Sequence, residues 1–70
     1  MKYAVVIEKG PESYGAYVPD LPGCVAAAES RDEVIQLIRE AIELHLDGLR
    51  QNGEVPPPPS SSIEFIEVAA

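Results

Sequence analysis

Residues 30–53 read SRDEVIQLIREAIELHLDGLRQNG, and this stretch decides the fold because it marks where a helix starts, which face it buries and where it stops. Ser30-Arg31-Asp32-Glu33 has the S-x-x-E form of a capping box, in which a hydroxyl and a carboxylate satisfy backbone N–H groups left without partners in the first helical turn. The pattern predicts a helix from Arg31. Val34, Ile35, Leu37, Ile38, Ala41, Ile42, His45 and Leu49 then recur at intervals of three and four, while Gln36, Arg39, Glu40, Glu43, Asp47 and Arg50 take the opposite face. Asn52-Gly53 ends the helix, since glycine enters the left-handed region without a Cβ clash and the prolines at 56–59 cannot continue a helix.

On the amino-terminal side of this helix the periodicity changes to that of strands. Residues 2–9 are rich in β-branched and aromatic types and close on Gly10-Pro11, and residues 14–18 follow near enough to pair with them as a hairpin. Pro19-Asp20-Leu21-Pro22-Gly23 breaks the pattern with a stiff, shaped loop. Residues 24–29 form a third strand whose three alanines let a helix pack closely over them. Beyond the helix, 56–59 is a polyproline spacer, 60–62 is all serine, and 63–68 has the composition of a last strand. The expected architecture is α+β, a β-β-β-α-β two-layer domain with one long helix. A right-handed crossover sets the last strand parallel to the third, giving a mixed sheet.

One helix covers one face of a sheet, yet the first strand is apolar on both sides, with Tyr3, Val5 and Ile7 opposed to Ala4 and Val6. The last strand behaves alike, with Ile63 and Phe65 opposed to Ile66 and Val68. The uncovered face is therefore expected to meet another subunit, in a dimer or tetramer. Size points the same way. Seventy residues make a single domain, 1–70, and a chain this short buries only about 60% of its unfolded surface, so it gains from a partner.

Five Lys and Arg against twelve Asp and Glu give a formal charge of −7, which repels a phosphate backbone and attracts a basic protein; it is also an ordinary means of staying soluble. Cys24 is alone, so an intrachain disulfide and a cysteine-based zinc site are both excluded. The start MKYAVVIEKG has an apolar run far too short for a signal peptide or a membrane span, and a cytoplasmic protein with no membrane contact is expected.

A tyrosine-bearing first strand, the loop PDLPGC at 19–24, the small-residue third strand, Ser30 and the helical segment EAIELHLDGL at 40–49 with its proline-rich exit together resemble the HicB-like antitoxins. The resemblance spans nearly the whole chain and rests on the combination at this spacing. It implies a partial ribonuclease-H-like fold without catalysis, which neutralises a HicA-like messenger-RNA-cleaving toxin by masking it. Many family members add a carboxy-terminal DNA-binding domain. This sequence reaches Ala70 without one, so operator binding by the chain alone is not expected. The rival reading is a stand-alone homo-oligomeric module with no toxin.

The residues expected to touch a partner are Tyr17, Asp20, Leu21 and Pro22. A rigid loop exposing Leu21 beside Asp20 suits an interface, although shape-keeping alone also explains its prolines. Tyr14 and Tyr17 have opposite parity, so at most one faces the helix and the other is free for contact. No catalytic residue, cofactor or metal ligand is expected. His45 lies within the apolar face with no nucleophile beside it, Glu8, Glu40, Glu64 and Glu67 are scattered over three elements, and Cys24 reads as a buried thiol.

Overall fold

The computed structural model describes residues 1–69. Three strands, β1 (Val6–Lys9), β2 (Tyr14–Tyr17) and β3 (Val25–Ala28), precede one helix, α1 (Arg31–Gln51). The strands form an antiparallel meander in the order β1-β2-β3, in a register that opposes Val6 to Tyr17 and Tyr17 to Val25. Successive residues alternate faces, so the sheet has two kinds of cross-strand row. Ile7, Ala16 and Ala26 make a row facing the helix, and Val6, Tyr17 and Val25 make one facing away.

The helix ends where the local chemistry directs. Ser30 is the N-cap, in extended conformation, and its Oγ accepts from the Glu33 N–H at 3.2 Å while donating to Glu33 Oε1 at 2.9 Å. The box thus closes between side chains rather than by the glutamate reaching the Ser30 N–H. At the other end Glu54 N–H donates to the Leu49 carbonyl and Gly53 N–H to that of Arg50, with Gly53 at φ +76°. That pairing is a Schellman motif, and it satisfies two carbonyls that the last turn would leave open.

The loop between β2 and β3 is two β-turns in succession that share Leu21. Leu21 N–H donates to the Val18 carbonyl and Cys24 N–H to the Leu21 carbonyl, each at 3.1 Å. Pro19 and Pro22 stand at the second position of each turn, where a fixed φ near −65° is wanted, and Gly23 at φ +85° supplies the positive φ of a type II turn. A Cβ at Gly23 would meet no neighbour, so Gly23→Ala carries only the backbone penalty. We expect a loss of about 1 kcal/mol in denaturant unfolding; unchanged stability would mean the turn relaxes at no cost.

Ala16, Val18, Leu21, Cys24, Val34, Ile38 and Leu46 form the core, packed under the helix over β2 and β3. The alanines of β3 allow this approach, as Ala26 and Ala28 lie against the core. Leu46, outside the predicted apolar face, is buried, and Leu37, inside it, is exposed. The helix axis leans over β3, so the buried stripe follows 34, 38 and 46 and leaves position 37 on the rim.

The expected fourth strand does not form, and the sheet is antiparallel throughout rather than mixed. A parallel strand apolar on both faces needs cover on both, and one helix gives it on one. The first strand is also shorter than 2–9, because the ladder ends at Val6 and Tyr17, the last residue of β2, beyond which the chain opposite enters the turn at Val18-Pro19. Tyr3 and Val5 pack against the core from outside the ladder.

Candidate partner-binding site

The face of the sheet away from the helix carries two short rows. Val6, Tyr17 and Val25 make an apolar row, with Tyr17 41% and Val25 65% exposed. Glu8, Gly15 and Ala27 make the next, in which two small residues leave the surface flat beside an acid. Large apolar side chains on an otherwise flat, acidic face are what a docking protein can bury. Tyr14, of opposite parity, packs against the core, so the two tyrosines divide between the faces as their spacing requires.

The four residues expected to meet a partner separate into three environments. Tyr17 and Pro22 are exposed. Leu21 is not: only 1% of it is accessible, and with Val34 it is one of the two largest fully buried side chains. The expectation that the loop displays Leu21 is corrected, since the double turn folds its shared residue inward, where the apolar side chain leaves water. Asp20 is half-buried and already occupied.

The occupant of Asp20 is the serine run after the polyproline spacer. Asp20 Oδ2 accepts from the backbone N–H of Ser60 and of Ser61, both at 2.9 Å, and Oδ1 accepts from their hydroxyls at 3.1 and 2.7 Å. Tyr3 Oη donates to the Pro57 carbonyl on the same path. The spacer is thereby held across the domain. These four donors favour the charged carboxylate, the Ser61 N–H foremost, and lower the Asp20 pKa from 3.8 to about 2. Because the folded value is the lower one, this tether is fully present above pH 3.8 and weakens as pH falls through about 2. An NMR titration following the Asp20 carboxyl carbon should give a midpoint near 2, and Asp20→Asn should speed exchange of the Ser60 and Ser61 amides. A midpoint near 4 would mean that the serines do not stay bound.

The remaining candidates gather no chemistry. His45 is half-buried on the helix, the Cys24 thiol is buried and its pKa pushed up by desolvation, and among the described residues no group of three or more His, Cys, Asp or Glu lies close enough to hold a metal ion. No helix among the described residues is long and apolar enough to cross a membrane. The backbone path of the double turn is carried by the V-P-D-L-P-G-C sequence, with each proline and the glycine in turn positions, but the inward direction of Leu21 is not. The Asp20 tether had no local sign, since its partners lie 40 and 41 residues away.

Comparison with known proteins places this arrangement. Residues 3–69 match the family model described as HicB-like antitoxin of bacterial toxin-antitoxin system. A UPF0150 protein of Archaeoglobus fulgidus is 50% identical over 48 residues, covering 67% of this chain and 70% of that one. A 14.9 kDa protein from the rep-hol intergenic region of Haemophilus phage HP1 is 33% identical over 66 residues, 94% of this chain, which spans 50% of the phage protein's length. Among solved structures, a chain of the HicA3 and HicB3 toxin-antitoxin complex superposes with a TM-score of 0.70 at 30% identity, covering 84% of this chain and 70% of that one. With the motif set at 19–24, 30 and 40–49 now seen to build the double turn, the helix cap and the packed helix, the chain belongs to the HicB-like antitoxin family.

Proposed function

We propose that this chain binds a HicA-like toxin and neutralises it by covering its surface, with no catalysis of its own, on a scaffold that we read as a partial ribonuclease-H-like unit. The observation that carries the reading is the likeness to a chain of a toxin-antitoxin complex at 30% identity and along most of the fold. Charge supports it. An enzyme that grips RNA needs a cationic surface, and a chain of net charge −7 draws such a surface in and speeds encounter. The contact is assigned to the face bearing Tyr17 and Val25, with Pro22 at its edge and Glu8 within it. Leu21 is left out as buried, and Asp20 as engaged with the serine run. The test is RNA cleavage by a purified HicA-like toxin titrated with this chain, with the chain alone plus magnesium as a second arm. Cleavage should fall to zero at a fixed stoichiometric ratio, and the chain alone should leave RNA intact. Undiminished cleavage at excess antitoxin, or metal-dependent cleavage by the chain itself, would overturn the reading.

A further inference from the structure

The chain exposes more surface than its mass calls for. A compact monomer of 7.5 kDa exposes about 4,200 Å², whereas 5444 Å² is exposed here. The radius of gyration is 13.8 Å, against about 11 Å for a compact domain of this length. The excess of about 1,200 Å² exceeds the ~800 Å² that each partner contributes to a stable interface.

Two apolar features contribute to it. One is the segment 63–68, where Ile63, Phe65, Ile66 and Val68 are all exposed, Phe65 to 92%. The other is an open groove of about 550 Å³ between β1 and α1, lined by Tyr3, Val5, Ile7, Ile35, Ile42 and Leu46 among others. The groove runs beside the outer edge of β1, which among the described residues has no neighbouring strand, so its backbone groups are available for a ladder. Segment and groove match as strand and vacant edge.

Charge agrees with shape. Of the five cationic side chains, Lys2 precedes β1, Lys9 ends it, Arg39 lines the groove and Arg31 lines the adjoining hollow, against two acids there, Glu8 in β1 and Glu43 on the groove; the fifth, Arg50, pairs with Asp47. The segment 63–68 carries Glu64 and Glu67. Four cations against two acids make the surroundings of β1 the least acidic part of a chain of net charge −7, which favours an acidic, apolar strand over a basic protein. In its own chain the segment starts just after Ser60 and Ser61 are fixed on Asp20, and it passes β1, where Ile63 and Phe65 share a hollow with Val5 and Val6, without forming a ladder.

We propose that a second copy of this chain seats its residues 63–68 in the groove along β1, each protomer giving its arm to the other in a two-fold dimer. Such an exchange is self-complementary and closes, so it buries both arms and leaves no open edge to propagate. It is independent of what the Tyr17 face binds, and it leaves that face free.

Sedimentation of the full chain and of Phe65→Asp tests it. Phe65 is almost wholly exposed in the single chain, so the substitution spares the monomer's fold, which circular dichroism verifies. The wild type should sediment as a dimer at tens of micromolar, and Phe65→Asp should raise the dissociation constant by at least about tenfold. In a sample mixed from isotope-labelled and unlabelled chains, the Phe65 ring should show contacts to Ile35 or Ile42 methyls of the other chain. A wild type that stays monomeric at about 100 µM, a dimer indifferent to Phe65→Asp, contacts found only within one chain, or an arm that becomes protected from hydrogen exchange only when toxin is added would each overturn the proposal.

Discussion

Leu21→Ala should lower the stability of the folded chain by about 2–5 kcal/mol, the largest loss expected from removing a few methyl groups anywhere in the loop. The side chain is enclosed within the core with Val18, Cys24, Val34 and Ile38, and it is the residue both turns share. Its removal deletes buried apolar area and leaves a cavity that the two prolines, fixed in φ, prevent the loop from collapsing to fill. A domain of this size has roughly 4–10 kcal/mol in all, so the change removes about a fifth at the least. At constant protein concentration the melting temperature should fall by roughly 10 °C or more. A fall of only a degree or two would show that Leu21 is not held where the structure puts it. The same variant separates two roles for the loop. If Leu21 anchors the fold, toxin capture by the molecules that remain folded keeps its dissociation rate; if it anchored a partner, that rate would rise.

The second large effect concerns the open face. Tyr17→Ala should weaken toxin binding by roughly tenfold to a hundredfold, because a tyrosine at the centre of a flat face buries much area at modest entropic cost. Its neighbours on the row, Val6 and Val25, belong to the other two strands, so the three strands together present one apolar strip. Val25→Asp, on the same strip, should act in the same direction by placing a charge where a partner must exclude water. Neither side chain contributes to the core, and melting temperatures of the variants should stay near that of the wild type. Raising salt should slow association without changing dissociation, as expected of steering by a net charge of −7. Surface-binding kinetics on wild type, Tyr17→Ala and Phe65→Asp resolve these contributions. Unchanged affinity in Tyr17→Ala would move the toxin contact off this face, with the exposed Leu37 and Leu44 of the helix the next surface to probe.

The parts of the molecule legible in the sequence are those settled by neighbours along the chain. The helix runs from Arg31 to Gln51 because Ser30 and Glu33 close one end and Gly53 the other, through bonds that reach no further than five residues. The hairpin and the third strand followed from residue composition between turn residues, and the HicB-like resemblance followed from motifs that each build one of these local devices. What the tertiary structure decided are the questions with distant answers. Leu21 was read as displayed and is buried, since a turn's sequence fixes its backbone path but not which side of it the core occupies. Leu37 and Leu46 exchanged places because the stripe a helix buries depends on where its axis crosses the sheet. The segment 63–68 has strand composition and forms no strand, because a strand exists only when an edge accepts its hydrogen bonds and both its apolar faces are covered, and composition supplies neither.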